Sequence, residues 1–167
     1  MKGYFAQVKD TDRAPVSGYN TSGRGVPDIS AAASSHIVIN RGVQRVFDGT
    51  SGATPIVAAM LSLVNAARFR AGGRPIGFLH PALYKQARRF TRDVTAGKNN
   101  CTALDSICCT QGFNAAKGWD PTTGFGTINH KKFKAYMMSI DKSIKPTSMS
   151  AEDTHTYLRS NQSSRTL

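Results

Sequence analysis

The residues best suited to chemistry are Gly49-Thr50-Ser51, set just ahead of Pro55 and an apolar run from Ile56 to Ala67. A serine on a tight glycine turn projects its Oγ away from the backbone. The free N–H groups and positive dipole end of a following helix can stabilise a developing oxyanion. A Gly-Thr-Ser tripeptide alone carries little weight, because Thr and Ser commonly cap helices. Ahead of a proline and an apolar helix it carries more. Pro55 suits a first helical turn, where its missing N–H would have no partner anyway. A serine nucleophile also needs a base. No Glu precedes Ser51; the chain's single Glu is Glu152, and four Asp residues come earlier: Asp10, Asp12, Asp28 and Asp48. His36 lies 15 residues before Ser51 in a strand-like stretch and reads as a core or rim histidine, not as the base.

The cysteines offer a second chemistry. Cys101, Cys108 and Cys109 fall within nine positions with no His among them, so a zinc site lacks its fourth ligand. A bridge from Cys101 to either Cys108 or Cys109 suits an oxidising compartment, and three reduced thiols is the other reading. Asn20-Thr21-Ser22 is a glycosylation sequon, usable only in a secreted chain.

The elements that must position these residues follow from composition and pattern. The chain has 167 residues, 40% hydrophobic and 19% charged, which fits one ordinary domain and argues against wholesale disorder. Its net charge of +12 is spread without a dense basic run, so no nucleic-acid partner is expected. No unbroken apolar run of membrane length exists, and no membrane partner is expected. The first ten residues carry no apolar h-region, so no signal peptide is visible. Residues 1–9 read as the end of a short helix, and His36 to Asn40 as a buried strand with a return strand from Val43 to Phe47. The segment from Ile56 to Ala67 is apolar nearly all round and predicts a buried helix needing partners on every side. Arg68 and Arg70 would face its C-terminal dipole, with Gly72 as cap. Further helices are predicted over 81–90 and 130–140. Residues 1–142 form the domain; residues 143–167, with 10 Ser or Thr, predict a disordered tail.

The string Gly49-Thr50-Ser51-Gly52-Ala53-Thr54-Pro55 resembles the nucleophile motif of the subtilisin-like clan, and especially of the sedolisin (serine-carboxyl peptidase) family. FTRDVTAGKNN (90–100) and GFNAAKGWDPTTGFG (112–126) are similar to the calcium-binding segments of that family. RPIGFLHPALY (74–84) and GYNTSGRGVPDIS (18–30) are similar to its tripeptidyl-peptidase I-like members, and the resemblance covers residues 3–138.

This resemblance implies the C-terminal portion of an α/β peptidase domain with a doubly wound parallel sheet. It implies Ser51 as nucleophile, acting on peptide or protein substrates at acidic pH, as an endopeptidase or tripeptidyl-peptidase. It implies one Ca²⁺ ion held by the carboxylates of Asp93 and Asp120 and the carbonyls of Val94, Ala116 and Gly118, a hard all-oxygen set. The family usually has Gly where Ala116 stands, but only the carbonyl would ligate. The family's base is a Glu oriented by an Asp one helical turn away, with a further Asp at the oxyanion hole, all upstream of the serine. None of these three has a match here; Asp28 in Pro27-Asp28-Ile29-Ser30 matches a structural stretch. The chain therefore reads either as part of such a peptidase or as a degenerate, inactive copy, and by itself as lacking activity. Family members are secreted or lysosomal/vacuolar.

Overall fold

The computed structural model describes residues 2–8, 14–102, 107–141 and 143. The tail expected over 143–167 lies outside the described residues from 144 onward. Helix α1 (Lys2–Val8) buries Tyr4 and Val8, which lie one turn apart on one face. Strands β1 (His36–Asn40) and β2 (Val43–Phe47) pair antiparallel, His36 opposite Phe47 and Asn40 opposite Val43. Arg41 and Gly42 make the two-residue turn, both at positive φ, 51° and 76°, which matches the twist of the flanking strands. Strands joined by so short a turn cannot be parallel. Both sheets among the described residues are two-stranded and antiparallel, and the parallel feature is a single bridge, Ser30 to Thr127. The expected doubly wound parallel sheet is thus not formed within the described residues. Nor is the hairpin buried as expected: Ile37, Val38, Ile39, Val43, Val46 and Phe47 are all exposed.

Helix α2 (Thr50–Arg70) starts earlier than the sequence predicts, and Pro55 lies inside it instead of opening it. Ser51 therefore sits in the first turn, and its carbonyl has no N–H to accept from at Pro55. The other end follows expectation. Gly72, at φ 74°, donates to the Phe69 carbonyl at 3.0 Å and Gly73 to that of Arg68 at 2.8 Å, closing the helix through a left-handed residue. Only Val64, Ala67 and Arg68 of α2 are buried, so the partners its apolar faces call for are not supplied by the described residues. An 18-residue window of α2 has mean hydropathy 1.3 and is 11% buried, making the helix long and apolar enough to cross a membrane by length and composition. The test for an unbroken run misses it because Thr, Ser and Asn interrupt the apolar residues.

Helix α3 (His80–Phe90) carries Pro81 in its first turn, and α4 (His130–Ser139) is capped by Asn129, whose side chain accepts from the Lys132 N–H at 3.0 Å. Strand β3 (Thr91–Arg92) continues α3 and pairs with β4 (Thr127–Ile128), which leads into α4. The main core joins these elements: Val64 of α2, Leu83, Ala87 and Phe90 of α3, Ile128 of β4, Phe133 and Met137 of α4. A second cluster seats Tyr4 and Val8 against Ala116. Arg68 does not face solvent at the end of α2. It is 6% exposed, and its guanidinium donates to the carbonyls of Arg74 and Met137 and to Asp141 at 2.7 Å.

The 24–30 segment is fixed by Asp28. Its carboxylate accepts from Arg24 at 2.6 Å, Tyr84 at 2.5 Å and His80 at 3.2 Å, tying the loop to α3. Partial burial pushes the Asp28 carboxyl up, but these donors and the Arg24 charge outweigh it and bring it down to about 2. Asp141 is likewise held at about 2, chiefly by the Ser143 hydroxyl and the Arg74 N–H. Carboxyls depressed below their unfolded value stabilise the fold above that value and lose the contribution as pH falls through the folded one. The melting temperature should hold from neutral pH to about 4 and fall between about pH 4 and 2. Asp28→Asn should lower it at neutral pH and flatten this decline. An unchanged acid limb in Asp28→Asn would show that the hub does not carry the dependence.

Candidate active site

The turn before α2 is shaped by backbone geometry. Gly49 has φ 116° and ψ 167°, a conformation closed to side-chain-bearing residues. Its N–H donates to the Ala33 carbonyl at 2.5 Å, and Gly52 donates back to the Gly49 carbonyl at 2.9 Å. Asp48 accepts from the Ser35 N–H at 2.7 Å, with Ser35 itself at φ 58°. The 48–49 turn is thereby clamped to the 33–35 segment that enters β1. No side chain caps α2, and its first turn carries no acidic residue. Ser51 is exposed there, beside amide dipoles that nothing in the first turn neutralises.

His36 lies against this turn. Its Nε2 donates to the Ala32 carbonyl at 2.8 Å, and its ring edge packs on Gly52 so closely that a Cβ there would lie 2.7 Å from His36 Cδ2. The sequence offered no reason for a glycine after the serine; the imidazole is the reason.

The acidic residues expected to hold calcium come together in a second place. Asp93, just after β3, accepts from the Gly118 N–H at 2.7 Å. Asp120 is fully buried and accepts from the N–H groups of Ala116 at 3.1 Å, Thr122 at 2.9 Å and Thr123 at 2.7 Å. Both carboxylates thus hold the 116–118 segment, and Val94 follows Asp93 in the chain. Among the described residues no Lys or Arg pairs with Asp120. The Thr123 hydroxyl also donates to it, at 3.2 Å to Oδ2, so hydrogen bonds meet its charge, and oxygen donors are what this corner would offer a cation. Ala116 is not at positive φ, so its methyl imposes no backbone strain where the family has glycine. Among the described residues no group of three or more His, Cys, Asp or Glu forms a metal cluster, so any ion here would draw on backbone carbonyls. Gly126 lets the loop close onto β3, since a Cβ there would lie 2.1 Å from the Arg92 carbonyl.

The arrangement does not bring a base to Ser51. Every described aspartate is engaged elsewhere: Asp28 in its hub, Asp48 on Ser35, Asp93 and Asp120 in their loops, Asp141 on Arg68. Of the two open cysteine pairings, the structure has Cys101 bonded to Cys108, leaving Cys109 free and exposed. Sequence reading missed the Arg24–Asp28–His80–Tyr84 hub, whose members lie up to 56 positions apart from Asp28 and share no motif.

Known proteins resemble the chain over most of its length. The chain is 37% identical over 138 residues to tripeptidyl-peptidase sed1 of Aspergillus fumigatus, covering 82% of this chain and 20% of that protein. It is 39% identical to tripeptidyl-peptidase 1 of Dictyostelium discoideum, over 72% of this chain and 20% of that one. The human tripeptidyl-peptidase 1 matches at 41% over 69% of this chain and 20% of its own length. The chain belongs to the sedolisin family. It fits a C-terminal region of the peptidase and spans about a fifth of the length of these curated relatives. A Pseudomonas sedolisin, a serine-carboxyl proteinase solved with two molecules of pseudo-iodotyrostatin, superposes with a TM-score of 0.58 at 26% identity, covering 83% of this chain and 34% of that one. No family model matches the chain.

The His36–Gly52 contact makes a direct prediction. Gly52→Ala should destabilise the fold by about 1–3 kcal/mol, the usual cost of overpacking. His36→Ala combined with Gly52→Ala should recover most of that loss, because the ring that blocks the methyl is gone. Urea unfolding of both variants checks it; equal losses in the two would show that the clash is not with His36.

Proposed function

We propose that this chain carries the nucleophile of a serine-carboxyl peptidase acting on peptide or protein substrates. The observation that supports this most is Ser51: exposed, in the first turn of an uncapped helix, on a turn only glycine can make at position 49. Attack by Ser51 Oγ on a scissile carbonyl would place negative charge on the carbonyl oxygen close to the α2 N-terminus, where the dipole favours it. The proton must go to a base, and within sedolisins that role falls to a Glu this chain does not match. The complete reaction therefore needs the rest of a sedolisin domain, in the doubly wound parallel-sheet setting of that clan. Acidic pH, the choice between tripeptidyl-peptidase and endopeptidase action, and a secreted or lysosomal/vacuolar site follow from family membership and are part of the same proposal.

One Ca²⁺ ion is proposed at Asp93 and Asp120, with the carbonyls of Val94, Ala116 and Gly118 completing its oxygen ligands. When bound, the ion supplies charge neutralisation and cross-linking of two loops. The convergence of the Asp93 and Asp120 carboxylates on the 116–118 loop supports it. A second reading is a catalytically inactive sedolisin-like fragment, favoured by the engagement of every described aspartate away from Ser51.

The two readings separate in a chimera. Residues 18–138 are exchanged for the matching region of the Aspergillus tripeptidyl-peptidase, leaving that enzyme's upstream residues in place. The chimera should cleave peptides, and Ser51→Ala should abolish cleavage, since loss of a triad serine costs about 10⁶ in kcat. A folded chimera without activity supports the inactive reading. In the chain itself, calcium should raise the unfolding midpoint, adding about 2.7 kcal/mol at a hundred times its Kd. Asp120→Asn and Asp93→Asn should each remove that response. A midpoint indifferent to calcium and to chelator would refute the metal site.

A further inference from the structure

A cavity of about 1170 Å³ lies between α1, α3, the 24–25 loop and the 117–119 loop, and no residue of α2 lines it. It is therefore separate from Ser51. Its size is slightly above the usual range of small-molecule sites, which favours an occupant of several residues over a bare ion. One side is an aromatic ladder. Phe78 stacks on His80 with centroids 4.4 Å apart, His80 lies parallel to Tyr84, and Tyr84 meets Phe125 edge-on at 5.1 Å. Phe78 is 75% exposed, a large apolar ring left on the surface. Trp119 closes another side, its indole N–H donating to the Pro27 carbonyl at 2.9 Å.

The charges around the cavity do not balance. Arg24 is neutralised by Asp28. Arg88 and Lys117 line the cavity from different elements, are exposed, and have no ion-pair partner among the described residues. The one other ionised group in the lining is Asp93, already accepting from the Gly118 N–H. His80 faces Asp28 through Nε2. Arg88 and Lys117 against the single carboxylate of Asp93 leave the lining net positive beside aromatic rings, which suits an anionic occupant with an apolar or aromatic body. Guanidinium and ammonium groups bind carboxylates through charge-assisted hydrogen bonds, and exposed rings take apolar side chains.

We propose that this cavity binds an acidic peptide segment, with Arg88 and Lys117 taking its carboxylates and the Phe78–His80–Tyr84 ladder taking an aromatic side chain.

The chain's single tryptophan, Trp119, reports on the cavity directly. The full chain is titrated with acetyl-Asp-Phe-Glu amide, with its neutral analogue acetyl-Asn-Phe-Gln amide, and with inorganic phosphate, following tryptophan emission. The acidic peptide should give a saturable change, at least about tenfold tighter than the neutral peptide or phosphate and weakened by added salt. Arg88→Gln with Lys117→Gln should weaken it about tenfold, the loss expected for two exposed charge-assisted contacts. Phe78→Ala, a change at an exposed ring, serves as an independent variant and should weaken the peptide without altering phosphate. Ser51→Ala should bind like the parent, which keeps this test apart from the fate of the peptidase reading. No saturable change, equal binding of the neutral peptide, or phosphate binding as tightly as the peptide would each overturn the proposal.

Discussion

The Asp28 carboxylate is the point on which the described structure turns. It accepts from Arg24, His80 and Tyr84, and its own backbone carbonyl accepts from the Phe125 N–H at 2.9 Å. Gly124 approaches so closely that a Cβ would lie 2.3 Å from the Asp28 carbonyl. Two residues on, Ser30 donates to the Gly126 carbonyl at 3.0 Å. One short segment thus fastens α3 on one side and the 120–126 turn on the other. Asp120 lies at the start of that turn, and β4 and α4 follow it. The approach of backbone to backbone is possible only because glycine occupies 124 and 126, each at positive φ.

Around this hub the two candidate sites are built by different means. Ser51 is positioned by backbone and helix geometry: a glycine at positive φ, a turn bonded to the 33–35 segment, and an imidazole seated on Gly52. The Asp93–Asp120 corner is positioned by carboxylates that accept from backbone N–H groups. The first leaves electropositive amides facing outward, which suits a developing oxyanion. The second leaves two oxygen-rich groups around one loop, which suits a hard cation. Neither depends on the other for its local geometry.

The distribution of burial also divides the molecule. α3, α4, β4 and one face of α2 share a packed core, with Arg68 satisfied at its edge by carbonyls and Asp141. The β1–β2 hairpin and the outer faces of α2 are apolar and uncovered. Exposed apolar faces of this kind mark surfaces suited to interaction with a further partner.

Local chemistry was legible in the sequence wherever a few neighbouring residues decide the outcome. The two hairpin strands, the closure of α2 at Gly72, the helices near 80–90 and 130–140, and the family signature around Ser51 all rest on contacts within a few positions. Boundaries set by a competing preference were not: Pro55 suggested a helix start, but the backbone turn at Gly49 brings it forward to Thr50. Burial was misread for the hairpin, because an apolar strand says only that cover is needed, not that it is present. The Asp28 hub, the inward turn of Arg68 and the seating of His36 on Gly52 were invisible. Each joins residues distant in sequence through hydrogen bonds or van der Waals contact that no spacing encodes. The sequence by itself determined which residues could do chemistry and which short elements carry them. Only the tertiary structure decided which charges are paired and which glycines are obligatory, because both depend on groups that meet in space alone.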